Sequence, residues 1–161
     1  MKLQQALNVL LIVFSISIAS SFLLEHFYHM TPCVLCNLQR FIMSFMLVVA
    51  ILKRLLSPNW SVMLYSMLIF FNLIGIALSA RHVWLQSQPV SDLVTVQCLP
   101  SLSVLWNWLP WHDVLYTLVK GDALCQSITW TFLNLSLAMW LGILYLCILV
   151  FNICFVKKNS Y

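Results

Sequence analysis

Four long apolar stretches divide the chain: about Ala6 to Leu24, Cys36 to Leu56, Ser61 to Ala80, and Trp130 to Val156. Each approaches the roughly 20 residues that a helix needs to cross the hydrocarbon core of a bilayer. The pattern predicts an all-α membrane protein built as a four-transmembrane-helix bundle. The spans are joined by a short segment around 25–35, a tight connection at Ser57-Pro58-Asn59 and a long segment from about 85 to 129. The first stretch also admits a signal-peptide reading, because Lys2 precedes it and Ser17-Ile18-Ala19 resembles a small-residue cleavage site. With no internal repeat, low-complexity tract or appended soluble domain in the pattern, one membrane domain over 1–161 is expected, its function sitting in the loops or between helices.

Composition sharpens this reading. The chain has 161 residues, 63% of them hydrophobic and 7% charged, too few charges to coat a soluble globule. Its net charge of +4 would invite a nucleic-acid partner, but the basic residues are scattered rather than gathered into a patch, so no nucleic acid is expected. They read as topology anchors. Lys2, Lys53, Arg54, Lys157 and Lys158 fall on one side, and Arg40, Arg81 and Lys120 on the other. Retention of loop cations in the cytoplasm then predicts that both termini are cytoplasmic and that the 25–35 and 85–129 segments are external.

Cys33, Cys36, Cys98 and Cys125 all lie in or beside those external segments, where disulfides form and persist. Cys147 and Cys154 sit in the last span, seven residues and ~10 Å apart along a helix axis, too far to pair with each other. They read as small hydrophobes.

The sharpest motif is Pro32-Cys33-Val34-Leu35-Cys36 followed by Asn37-Leu38-Gln39-Arg40. A C-x-x-C at a helix start brings two sulfurs together within one turn, and the helix terminus favours thiolate over thiol. The apolar run from Phe41 to Leu52 is too short to span, so the second helix must reach back to about Cys36 and carry Arg40 at the membrane edge. Arg40 stands one turn beyond Cys36 on the same face, with little else to neutralise in an apolar span. A cation there favours a thiolate or a reduced quinone anion. Snorkelling to the interface is the plainer reading of Arg40, and a permanent structural disulfide the plainer reading of the C-x-x-C. Half of a zinc site is the third reading of the motif, but 26 residues separate Cys98 from Cys125, unlike a second zinc half-site.

In the long segment, Leu102, Leu105, Trp106 and Leu109 recur as i, i+3, i+4 and i+7, with Trp108 and Trp111 nearby. That pattern suits a short interfacial helix lying in the headgroup layer, either carrying the Cys98 and Cys125 loop toward the C-x-x-C or merely anchoring it to membrane lipid.

Over nearly its whole length the chain resembles the disulfide bond formation protein B family, DsbB. The resemblance rests on Pro32 to Arg40, on His82 and Pro89 after the third span, and on Cys98 and Cys125. It continues through Gly121-Asp122, Trp130, Phe132-Leu133 and Trp140-Leu141-Gly142-Ile143. Two positions depart from the family pattern: Gln39 stands where the pattern has an acidic residue, and two residues separate Asp122 from Cys125 where it has none. Neither removes a reactive group.

The resemblance implies a bacterial inner-membrane enzyme, a protein-dithiol:quinone oxidoreductase. It would reoxidise a periplasmic thioredoxin-like oxidase of the DsbA type and pass the electrons to a membrane quinone, ubiquinone or menaquinone. By that analogy Cys98 receives the attack of DsbA, Cys125 exchanges with Cys33, and Cys36 faces the quinone ring beside Arg40. His82 looks like a further quinone-side residue, its plainer reading being an interfacial histidine at a span end. A vitamin K epoxide reductase-like thiol enzyme and a disulfide-braced, non-enzymatic membrane scaffold are the alternatives.

Overall fold

A computed structural model describes residues 3–28, 32–56, 61–88, 110, 112, 125 and 130–159. Among them the chain forms four helices long and apolar enough to cross a membrane. These are α1 (Leu3–Tyr28), α2 (Val34–Leu55), α3 (Ser61–Gln86) and α4 (Leu137–Asn159). Large apolar side chains such as Ile16, Phe41, Phe70 and Val150 stand on the outer faces, as expected of helices whose solvent is lipid. Cys98, Pro89, Gly121-Asp122 and the expected interfacial helix over Leu102 to Leu109 lie outside the described residues.

The packing order follows the chain, with α1 on α2, α2 on α3 and α3 on α4. Helix α2 is the central element. Its buried residues, Leu35, Gln39, Ile42, Met43, Met46, Val49, Ala50 and Lys53, recur every three or four positions and form one continuous stripe. At the far end of that stripe Lys53 lies over the Tyr65 ring, 3.8 Å from its centroid. Arg54 in the same turn donates to the Asn8 side chain of α1. Both cations sit in the last turn of α2, where the helix dipole favours them.

Helices α3 and α4 approach closely at one glycine. A Cβ on Gly75 would stand 2.5 Å from Cε1 of Tyr145, whose ring is fully buried. The Tyr145 hydroxyl donates to the Gln39 carbonyl at 3.0 Å, so the ring is held from α2 and cannot swing aside without breaking that bond. Small residues serve this purpose in membranes, where close helix contact replaces the hydrophobic drive. Gly75→Ala is therefore expected to destabilise the bundle by about 1–3 kcal/mol through overpacking, read as a lower unfolding midpoint in detergent.

The fourth helix begins at Leu137, not at Trp130 as the apolar pattern suggests. Thr131–Phe132 (β1) and Leu135–Ser136 (β2) instead pair antiparallel, with Thr131 opposite Ser136. Leu133 and Asn134 at the tip have φ of 53° and 61°, the paired positive values of a tight hairpin turn. Ser136 then caps α4, its Oγ accepting from the Met139 N–H at 3.4 Å while donating to Gln86 Oε1 of α3 at 2.7 Å. Helix α3 correspondingly runs on to Gln86, past the Ala80 limit of its apolar stretch. This extra length carries His82 up to the start of α2.

Candidate active site

The C-x-x-C forms the first turn of α2. Cys33 is the N-cap in extended conformation, and its Sγ accepts the Cys36 backbone N–H at 3.3 Å. The first helical bond, from Asn37 N–H to the Cys33 carbonyl, measures 3.1 Å. One turn thus brings the two thiols to an Sγ–Sγ separation of 3.1 Å. Cys33 is buried and Cys36 half-buried.

A third sulfur meets this pair. Cys125, distant in sequence, is fully buried, and its Sγ, the Cys33 Sγ and a ring nitrogen of His82 all lie within 4.8 Å of one another. His82 is not an interfacial side chain. It is 3% exposed, and its Nε2 stands 3.6 Å from the Cys33 Sγ. The hydrogen bond with Cys125 draws the Cys33 thiol pKa down, but the bond with Cys36, burial and the charge of Cys36 push it up to about 12. Cys33 in its reduced form is therefore held as a thiol across the physiological range.

Arg40 lies one turn further along α2, and here the sequence-based expectation needs correction. Arg40 does have something to neutralise: its Nη1 donates to Glu25 Oε2 of α1 at 2.7 Å. Its Nε donates to Ser21 Oγ at 2.9 Å, its Nη2 reaches the Ser21 carbonyl at 3.5 Å, and the guanidinium lies 4.4 Å from the Phe22 ring centroid. The antiparallel packing of α1 on α2 brings Glu25 there, a tertiary contact that no local spacing encodes. Glu25 is one of four acidic residues in the chain and closes the first apolar stretch. An acid at a span end is the signal that could have singled it out.

Gln39, the departure from the family pattern, turns the other way. It is 1% exposed, and its Nε2 donates to Ser79 Oγ of α3 at 3.0 Å. The carboxylate beside the arginine thus comes from α1 in this chain. Cys147 and Cys154 are exposed on the outer face of α4, away from the cluster.

The geometry brings together Cys33, Cys36, Cys125 and His82, with Arg40 one turn away. Cys33, with Cys36 on one side and Cys125 of distant sequence on the other, is arranged for thiol–disulfide exchange, in which a thiolate attacks one sulfur of a disulfide and the other departs. A family model described as Disulfide bond formation protein DsbB matches residues 4–155. Disulfide bond formation protein B from Marinobacter nauticus is 33% identical over 146 residues, 89% of this chain and 85% of that protein. The protein of the same description from Acinetobacter baylyi is 36% identical over 120 residues, 73% of this chain and 69% of its own length. Disulfide bond formation protein B 1 from Pseudomonas aeruginosa is 32% identical over 132 residues, covering 81% and 80%.

Proposed function

Because this chain belongs to the disulfide bond formation protein DsbB family, and so is a multi-pass bacterial membrane protein of disulfide bond formation, we propose that it reoxidises a periplasmic thioredoxin-fold oxidase of the DsbA type. The electrons go to a membrane quinone, ubiquinone or menaquinone, from an inner-membrane position with both termini cytoplasmic. The observation that supports this reading best is the contact of Cys125 with the Cys33–Cys36 pair. A cysteine buried there for bracing alone would not need to meet the redox-spaced pair.

The roles divide by access. Cys98 takes the attack of the soluble partner, Cys125 exchanges with Cys33, and Cys36 closes the path at the membrane side. Cys36, Arg40 and His82 are the residues that would hold the quinone. The donor chemistry of Arg40 fits: a guanidinium has five N–H donors, and contacts to Ser21 and Glu25 engage three of them among the described residues. Two remain for a carbonyl oxygen. Glu25 fixes the plane of the guanidinium, and Phe22 covers its face. A bound quinone supplies the two-electron acceptor.

The test is quinone reduction by the purified full chain supplied with a reduced DsbA-type donor, with equal amounts of donor disulfide and quinol expected. No quinol would leave the disulfide-braced scaffold. Equal rates with unrelated dithiols would favour an enzyme of the vitamin K epoxide reductase type.

A further inference from the structure

Exchange between the two cysteine pairs poses a proton problem that the sulfurs cannot solve by themselves. Cys125 must lose a proton to attack, and Cys33 must gain one as it departs, yet both are buried where water cannot serve either. A thiol with a raised pKa is also a slow leaving group unless it is protonated on departure, and Cys33 is such a thiol. Imidazole is the side chain best suited to take a proton and give it back near neutral pH. Such a ring has a nitrogen within 4.8 Å of both sulfurs.

We propose that His82 carries the proton for disulfide exchange between Cys125 and Cys33, acting through the Nε2 atom that faces the Cys33 sulfur. This inference rests on the relay proposed above and assigns the ring a task separate from any contact with quinone. Starting from a reduced loop pair and a Cys33–Cys36 disulfide, Cys125 attacks Cys33 and its proton passes to His82. The Cys33–Cys125 bond forms, the Cys33–Cys36 bond breaks, and the electron pair leaves on Cys36 as thiolate. Cys98 then loses its proton to solvent and attacks Cys125. The Cys98–Cys125 bond forms, the Cys33–Cys125 bond breaks, and the electron pair leaves on Cys33, followed by the proton from His82. The loop pair has lost two electrons, the α2 pair has gained two, and His82 ends as it began.

The neighbouring groups suit this assignment. From the start of α2 the ring meets Cys33, whose sulfur lies 3.1 Å from that of Cys36, and a ring nitrogen also lies within 4.8 Å of the Cys125 sulfur. The nearest cation on α2, Arg40, is engaged by Glu25 of α1. On its own helix Arg81 lies over Trp84, its Cζ 4.3 Å from the ring centroid. General acid–base assistance of this kind contributes about 10²–10⁴-fold.

The experiment uses full-length protein stripped of quinone, given a limiting amount of reduced donor, then quenched with acid and alkylated. The rate at which reducing equivalents pass from Cys98–Cys125 to Cys33–Cys36 is read by mass. In His82→Gln this transfer is expected to slow by ~10²-fold or more, and the solvent deuterium isotope effect of the wild type should disappear. Transfer at the wild-type rate in His82→Gln would overturn the proposal. Should that variant fail to fold, the wild type decides alone, because transfer insensitive to deuterium would equally overturn it. Failure of the underlying relay looks different: the wild type itself would then show no transfer between the pairs.

Discussion

Cys125→Ser is expected to stop electron flow into the Cys33–Cys36 pair while leaving that pair able to form its own disulfide. Cys125 is fully buried with its sulfur in the cluster of Cys33 and His82. A serine hydroxyl fits the same space but cannot form or resolve a disulfide, so donor-driven quinone reduction should fall on the order of 10³-fold or more, as loss of a covalent nucleophile does. The Cys33–Cys36 turn is built from local contacts within α2, the N-cap and the 3.1 Å sulfur approach, and does not depend on the loop. Cys98 in this variant becomes a thiol without its resolving partner. A DsbA-type donor lacking its own second active-site cysteine, and first activated as a mixed disulfide, should accumulate covalently on Cys98, seen as a reducible band on a denaturing gel. Retention of donor-driven turnover would mean that electrons bypass Cys125.

The second large effect is expected at Arg40. Arg40→Met removes a cation that also clamps α1, so quinone affinity and the fate of Glu25 must be read together. Hydrogen bonds from charged groups are worth about 1.5–3 kcal/mol, and loss of those available to a carbonyl should raise the apparent KM for quinone ~10–100-fold. Both disulfides should still form. Arg40→Lys should recover part of this, because one ammonium cannot keep Glu25, Ser21 and a ligand in a single plane. Glu25→Gln keeps the cation but loosens its aim, and the expected change is smaller and of the same sign. The Glu25–Arg40 pair is partly exposed, so its own contribution to stability is modest. Quinone kinetics unchanged in Arg40→Met would return Arg40 to an interfacial, snorkelling role.

Much of the architecture follows from residue types alone. Four apolar runs of spanning length make four helices, but the buried face of α2 is not legible from residue type, since Gln39 and Lys53 are buried while Phe41 and Leu55 face outward. The start of α2 is legible too: Pro32 ahead of a C-x-x-C leads directly into an apolar run, and the N-cap falls on Cys33. The hairpin before α4 is hidden for a physical reason. Trp130 to Leu137 reads as a continuation of the last apolar run, and only the positive φ of Leu133 and Asn134, together with the Ser136 cap, reveals the break.

Other features of the site depend on which helix faces which. The spacing of Cys36 and Arg40 gives the cation its height, but Glu25 reaches it only because α1 packs antiparallel on α2. His82 lies at the end of an apolar stretch and would pass for an interfacial residue, yet the extension of α3 to Gln86 keeps that turn helical and turns the ring onto Cys33. The contact of Cys125 with Cys33 joins residues far apart in sequence, which spacing cannot encode. Gly75 and Tyr145 illustrate the same limit: either is ordinary in an apolar helix, and only their apposition makes the glycine necessary.

The order in which disulfides are lost tests the relay most directly. Fully oxidised protein with bound quinone is mixed with a stoichiometric amount of reduced DsbA-type donor, quenched in acid at successive times, and its cysteines are mapped by differential alkylation while quinol is followed optically. The account predicts that Cys98 and Cys125 become reduced first, that Cys33 and Cys36 follow as the loop pair reoxidises, and that quinol appears last. Reduction of Cys33 and Cys36 ahead of the loop pair, with the donor trapped on Cys36, would contradict it.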